Sequence, residues 1–535
     1  MRSTERNIRR WLIFAGMGLA YAASILDTTV VHLALPTIAR QFTADLMASS
    51  WVIHSYNVVF AAFLITAGRL ADVYGHKRVL LSGISLFSLA SLSCALAPSL
   101  FLLIVFRGLQ ALGGAALGSV GFAVVGLVFP KEHRVLPLAI WSAIAALAAI
   151  LGPIIGGLTL LVSWRLMFLI NLPICALAFL LTGLLPAWSS HRRKPRFDVA
   201  GMLLVALVLI SIILLLIETW SAAALAILLV IALLSLAGLI LAERTNPAPL
   251  VDGALFRVRS FAASSLGMLL FWLAYQGATL IFGLYLLGAE HLSAEQAAFF
   301  IIPVPLANVA VSLLVRENFP QWARAVAGIV CGASGFLGLS ALGTAPLWML
   351  VVPALLIGMA ASLCFTSFHT CVLSDIAKQQ FGQASGIFNT CRQLATTLGA
   401  ALFLKSISWH LQAQLTQLGQ YAQATMQVVP MTRAERIQAS TRCDTLLASL
   451  MTNQGSQHLP SLHLLGIAAW DSWFSQQLQA ALISAFSQTW LLCAALALLA
   501  LPLALSLRPQ RSTRRVAGEA TPGRQGGLIH ANTHA

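Results

Sequence analysis

A chain of 535 residues with 59% hydrophobic and only 9% charged side chains, and a mean hydropathy of +0.86, carries more apolar surface than a water-soluble globule can hide. Its formal net charge of +15 would suggest nucleic acid if gathered in one soluble patch. Spread over the short segments between apolar runs, it reads as membrane topology instead, and no nucleic-acid partner is expected.

Fourteen runs are long and apolar enough to cross a bilayer: 11–36, 51–67, 79–97, 101–128, 137–158, 166–185, 201–217, 222–242, 261–287, 297–315, 325–342, 347–368, 384–408 and 484–507. With the N-terminus placed in the cytoplasm, most of the 32 Lys and Arg fall in cytoplasmic segments. Arg40, Arg165, Arg433, Arg436 and Arg442 fall on the other side, and Arg107, Arg392 and Lys405 lie within spans. The positive-inside rule therefore predicts both termini in the cytoplasm. The Arg-rich start leads into a span without a small-residue cleavage site, so it reads as an uncleaved first helix. Of the 8 cysteines only Cys443 falls in a predicted external loop, so no outside pair is expected to form a disulfide.

The first span holds Asp27 within SILDTTVVHLALP. A carboxylate in a membrane helix costs roughly 2.5 to 3.5 kcal/mol on insertion scales, and such residues usually face an internal cavity or an ion path. At about 1.5 Å per residue from Trp11, Asp27 lies about 24 Å in. It is the first candidate for loading and releasing protons, against a purely structural carboxylate bonded to Thr28, His32 or a neighbouring helix. His32 sits one turn and a little further on, either a proton partner or a structural histidine. The second span opens with WVIHSYNVVF: Trp51 is an interface anchor, and His54, Tyr56 and Asn57 bring polarity toward a wet cavity. Trp51 and Tyr56 could also offer aromatic faces to an organic cation.

Between the second and third spans lies GRLADVYGHKR, Gly68 to Arg78, read as a tight, basic, cytoplasmic loop. The fourth span, FLLIVFRGLQALGGAA, carries Arg107, which cannot lose its charge and needs a carboxylate, carbonyls or water. Gln110 follows as a cavity candidate. In the fifth, AAILGPIIGG, the stripe Ala148, Gly152, Gly156 permits close helix approach and Pro153 permits bending.

The cluster HRRKPR after the sixth span is a topology anchor that could touch anionic headgroups. Runs 201–217 and 222–242 read as plain, lipid-facing struts. The connector VRENFPQWAR, where a second copy of the opening basic island would fall, lacks its Gly and Asp. The thirteenth run contains NTCRQLATTLGAA with Arg392, a rare membrane cation and a further cavity candidate. Residues 409–483 read as one long external loop, with helical periodicity from 464 to 483.

Taken together these segments resemble the major facilitator superfamily, in its fourteen-helix drug:proton antiporter branch. GRLADVYGHKR resembles the family's signature loop, LDTTVVHLALP its first-helix motif, LLIVFRGLQALGGAA its arginine motif, AAILGPIIGG its exporter motif and WRLMFLINLP the stretch that follows. The resemblance implies an all-α integral membrane protein. Two six-helix bundles would be formed by 1–186 and 261–507, with two inserted helices and connectors in 187–260 and a disordered cytoplasmic tail at 508–535. The bundles would rock about a central cavity in alternating access. It further implies a conformational latch of Gly68, Arg69, Asp72, Gly75, Lys77 and Arg78. Proton coupling would fall to Asp27 with Arg107, His32 standing where the family often has asparagine. The exporter hinge would be Gly152, Pro153, Gly156 and Gly157.

The expected activity is proton-driven efflux of amphipathic, often cationic, compounds from a bacterial inner membrane, with Asp27 taking either a proton or a substrate cation. The partners would be the lipid bilayer, protons and substrate, and some relatives of this type also use a periplasmic adaptor. An exporter of one metabolite, siderophore or lipid is the alternative. A membrane enzyme or sensor is disfavoured: there is no P-loop, HExxH or convincing triad, and neither metal nor organic cofactor is expected beside the proton gradient.

Overall fold

The computed structural model describes residues 2–130, 133–184, 198–217, 221–246, 250–290, 292–314, 319–341, 345–428 and 468–508. The cluster at 191–196, the tail beyond 508 and the middle of the predicted external loop lie outside these residues. Among the described residues the secondary structure is entirely helical.

The first bundle comprises α1 (Arg2–Gln41), α2 (Leu46–Tyr74), α3 (His76–Ala95), α4 (Leu100–Val128) and α5 (Val135–Leu160), followed by α6 (Leu166–Leu169) and α7 (Asn171–Gly183), two parts of one span. Local chemistry sets several starts: the side chains of Asp45 and Ser99 accept from the backbone of Ala48 and Leu102, satisfying N–H groups that a helix start leaves free. The basic island is not a loop. GRLADVY completes the last turns of α2, and Gly75 alone, at φ 97°, turns the chain into α3. A positive φ is open to glycine at no steric cost, so one residue suffices for the break.

Helices α8 (Val199–Ile217) and α9 (Ala222–Thr245) follow as a pair, the expected struts. Only α9 fits that description, exposing Ile227, Leu229, Val230, Leu233 and Leu234. By contrast α8 buries Val205, Leu209 and Ile213, and Ile213 packs with Val58 and Ala61 of α2 against Leu394, making α8 a wedge at the seam between bundles.

The second bundle contains α10 (Arg259–Gly288), α11 (Ala294–Ile301), α12 (Pro303–Leu314), α13 (Gln321–Ala341), α14 (Val351–Val372), α15 (Phe381–Val428), α16 (Ala468–Leu499) and α17 (Leu501–Ser506). The break between α11 and α12 falls at Pro303, whose ring removes a backbone donor. The expected loop at 409–483 is largely helix where it is described. The 48 residues of α15 run on to Val428, and α16 starts at Ala468. At about 1.5 Å per residue α15 extends about 72 Å, far beyond a ~30 Å hydrocarbon core.

Twelve of the described helical segments are long and apolar enough to cross a membrane. The other two expected spans are also helices: α8 is apolar but short, and α15 is long but carries Arg392, Lys405 and many amides and hydroxyls. The seven described cysteines are all free.

Candidate functional site

Asp27 lies 1% exposed in α1, directly paired with Arg107 of α4. Two further donors complete its shell: Gln110 Nε2 and Asn171 Nδ2 each reach Asp27 Oδ1 at 2.9 Å. Both also donate to Ser91 Oγ, at 2.7 and 3.1 Å. Arg107 in turn donates to the Val52 carbonyl at 3.1 Å and to Gln110 Oε1 at 2.6 Å. Its guanidinium carbon lies 4.3 Å from the Tyr56 ring centroid, a cation–π contact. The Tyr56 hydroxyl shares a 2.9 Å hydrogen bond with Ser24. One carboxylate and one guanidinium thus tie together four helices, with neutral groups adding further hydrogen bonds to both. A buried pair needs such a shell, because removing two charges from water costs several kcal/mol per ion.

Helix α1 is gripped from its other side. Gly152 of α5 abuts Thr29, and Gly156 abuts Val30 and Leu33, so the glycine stripe lies on the turn that follows Asp27. Gly157 has nothing within 4 Å of a notional Cβ. Pro153 sits within α5, between the two packed glycines.

The signature residues occupy the opposite end of the bundle. Asp72 Oδ1 accepts from the Gly382 N–H at 2.8 Å, and Oδ2 from Gln383 N–H at 2.7 Å, so a carboxylate from one bundle caps the first turn of α15 in the other. His76 Nε2 lies 3.4 Å from the same Oδ1. Beside it Gly68 and Gly382 meet so closely that a Cβ on either would run into the other's carbonyl oxygen. Lys77 Nζ donates to the Gly183 carbonyl at 2.6 Å, inside its own bundle. Arg69 is half-buried within electrostatic reach of Glu243, and Arg78 is exposed.

Further cross-bundle bonds join Ser385 to the Ser119 carbonyl (2.6 Å) and Ser142 to Asn308 (2.9 Å). An aromatic layer lies at this level, with Phe122 5.7 Å from Phe365 and 4.0 Å from the buried His369. The bundles are sealed at the Asp72 end.

The expected cavity residues divide. Tyr56 and Gln110 are fully buried in the Asp27 cluster rather than lining a space. Trp51, His54, Asn57 and Arg392 are half-buried, and His32 is exposed, within electrostatic reach of Arg107 and His54 but without a hydrogen bond to Asp27. Arg392 lies over the Trp272 ring at 5.5 Å. Sequence reading missed Ser91, Asn171, Gln383 and His369. Asn171 carried a signal, being an amide inside the apolar run LMFLINLP, whereas nothing distinguishes Ser91 from other helical serines.

A family model described as Major Facilitator Superfamily matches residues 17–400. Over 413 residues the chain is 32% identical to the multidrug resistance protein Stp of Mycobacterium tuberculosis (strain CDC 1551 / Oshkosh), spanning 76% of each chain. Over 408 residues it is 29% identical to the methylenomycin A resistance protein of Streptomyces coelicolor, spanning 74% of this chain and 86% of that one. The solved structure of the human organic anion transporter MFSD10 superposes with a TM-score of 0.59 at 13% identity, covering 91% of this chain and 99% of that one. At that identity the likeness is one of fold.

Proposed function

The chain belongs to the major facilitator superfamily, and on that premise we propose that this multi-pass membrane transporter is a proton-coupled antiporter that exports amphipathic organic compounds by alternating access. The observation that carries the proposal is the buried Asp27–Arg107 pair, the one ion pair at membrane depth among the described residues. An ionisable pair buried in a membrane protein marks an ion or proton pathway by default. Relatives named for multidrug and methylenomycin A resistance support export over uptake.

In this reading both termini and the Asp72 end face the cytoplasm of a bacterial inner membrane, and closure of the Asp72 end corresponds to a state shut toward the cytoplasm. A proton entering from outside loads Asp27 and removes the charge that Arg107 faces. Arg107 keeps the Val52 carbonyl and Gln110 as acceptors, while Gln110 and Asn171 keep Ser91. The grip of α4 and α7 on α1 loosens. Because α5 is packed onto the next turn of α1, the movement reaches the bundle, and the Asp72 cap on α15 releases. Proton loss to the cytoplasm and substrate uptake then precede the return stroke. Each inward charge supplies about 2.3 kcal/mol per 100 mV.

The test is proton release from energised inside-out vesicles on adding amphipathic compounds of either charge, comparing wild type with Asp27→Asn. Release by several unrelated compounds, lost in a folded Asp27→Asn protein, is the expected result. Wild-type exchange in that variant would overturn the role of Asp27.

A further inference from the structure

Two arginines lie at membrane depth in different bundles, and they are treated in opposite ways. Arg107 is engaged: its Nη1 and Nε donate to a carboxylate, an amide oxygen and a carbonyl. Among the described residues the Arg392 side chain has no hydrogen-bond acceptor and no ion pair, and its Nε is buried without a partner. A guanidinium cannot shed its charge, so the second arginine is an unfilled donor set.

Its position is set by α15. Eleven residues beyond Phe381, it stands about 17 Å from the sealed end, near the middle of a ~30 Å core. Leu394, two residues on, packs at the seam of α2, α8 and α15 with Val58, Ala61 and Ile213. Two residues turn a helix by about 200°, so Arg392 faces away from that seam, toward Trp272 of α10 and the aromatic layer that meets the opposite bundle. Its neighbours agree. Trp272 of α10 is 6.2 Å from Phe365, which is 5.7 Å from Phe122 of the opposite bundle, and the charge of Arg392 reaches His369 in the same aromatic layer. Trp272 is itself fixed, its indole N–H donating to Thr396 at 3.1 Å and its ring lying 4.9 Å from that of Tyr275.

Among the described residues no acid pairs with this charge. The carboxylate in the middle of a span is Asp27, and both of its oxygens are taken by Arg107, Gln110 and Asn171. A cationic compound would have to displace Arg107 to reach it, and beside Trp272 it would meet the like charge of Arg392. The half-buried His54 and exposed His32 add no negative charge. We propose that Arg392 and Trp272 form the substrate subsite, and that it takes amphipathic compounds bearing an acidic group. The carboxylate or sulfonate sits on the guanidinium and the ring lies along Trp272 and Tyr275. Arginine is suited to this, since its fork binds a carboxylate through two parallel hydrogen bonds. This rests on the export reading and replaces the cationic substrate class expected from the sequence. It also changes the electrical balance: one proton inward against one anion outward moves two charge equivalents with the membrane potential.

The test uses two probes with one ring system, 2-naphthoate and 2-naphthylmethylammonium, titrated against the purified full chain in detergent. The wild type is expected to prefer the anion. Arg392→Gln should weaken 2-naphthoate ten-fold or more while the ammonium probe binds no worse, which also controls for folding. Arg392→Lys should fall between, keeping the charge but losing the fork. Preference for the cation in the wild type, or unchanged anion affinity in Arg392→Gln, overturns the proposal. Transport of the same probes in proteoliposomes under a pH gradient separates the two readings. Binding as expected without gradient-driven export upholds the subsite and sinks the antiporter. Gradient-driven export of the anion at full affinity in Arg392→Gln upholds the antiporter and sinks the subsite.

Discussion

Asp72 and Gly382, 310 positions apart, are joined by a 2.8 Å hydrogen bond that makes a side chain of one bundle the N-cap of a helix in the other. A helix start leaves backbone N–H groups free and carries partial positive charge. A carboxylate there satisfies donors and dipole together, and it holds only while the bundles stay closed at this end. Removing such a cap costs about 0.5–2 kcal/mol. Asp72→Ala is therefore expected to shift the population away from the closed-end state, by about ten-fold for a mid-range loss of 1.4 kcal/mol. Maleimide labelling of a cysteine introduced at position 119, buried beneath the contact, reads the shift as a faster rate. An unchanged rate would mean that other cross-bundle bonds carry the closure.

The backbone contact beside that cap makes a separate prediction. Gly68 and Gly382 each lie where a methyl group would meet the partner's carbonyl oxygen, an overlap relieved only by moving helices apart. Gly68→Ala should open this end as Asp72→Ala does, without altering any charge or hydrogen-bonding group. Salt distinguishes the two, because steric separation is indifferent to ionic strength. A Gly68→Ala protein that labels at the wild-type rate would show that α2 shifts cheaply at this contact.

The pair at the centre of α1 and α4 separates stability from transport. Arg107→Gln leaves Asp27 facing Gln110 and Asn171 without a countercharge, and stranding one partner of a buried pair costs about 3–5 kcal/mol. Low accumulation in the membrane and a sharply lowered Tm are expected. Replacing both, Asp27→Asn with Arg107→Gln, removes the stranded charge and should restore folding, but not proton-coupled export. If the double variant stays as unstable as the single one, the cluster is held by shape rather than charge. If it transports normally, proton coupling lies elsewhere.

The residues that cost most to place in a membrane were the most legible in the sequence. Asp27 and Arg107 announce themselves because an unpaired charge in an apolar helix is expensive; the scarcity of acids suggests only an indirect coupling between them, and the direct contact is visible in the structure alone. Asp72 and Gly75 stood out for the same reason, as polar and turn-forming residues between apolar runs. Sequence could not reveal how far helices continue past the apolar limit. Residues 68–74 and 409–428 are helical although polar, because a backbone bonded to itself needs no apolar side chains outside the hydrocarbon core. Nor could it assign Tyr56 and Gln110. Both were expected to line a cavity, and only the packing of α2 against α4 turns them onto Asp27 and Arg107. The same limit hid the difference between α8 and α9, which have similar composition but different neighbours.

Two glycines of the exporter stripe make opposite predictions that no motif distinguishes. A Cβ at Gly152 would overlap the Thr29 side chain, which is pinned by its hydroxyl bonding to the Leu26 carbonyl at 2.9 Å. A Cβ at Gly157 would meet nothing within 4 Å. Alanine at 157 should be tolerated and slightly stabilising, since glycine within a helix costs roughly 0.5–1 kcal/mol relative to alanine. Alanine at 152 must push α5 from α1 at the turn after Asp27, so coupling should suffer more than folding. The expected outcome is a substrate-independent proton leak, or lost exchange, at near-normal expression. The comparison is made in the same vesicles, with Gly157→Ala as the control for helix propensity. Equal exchange by the two variants would mean that the α1–α5 contact does not transmit the movement of Asp27, and that its grip by α4 and α7 acts alone.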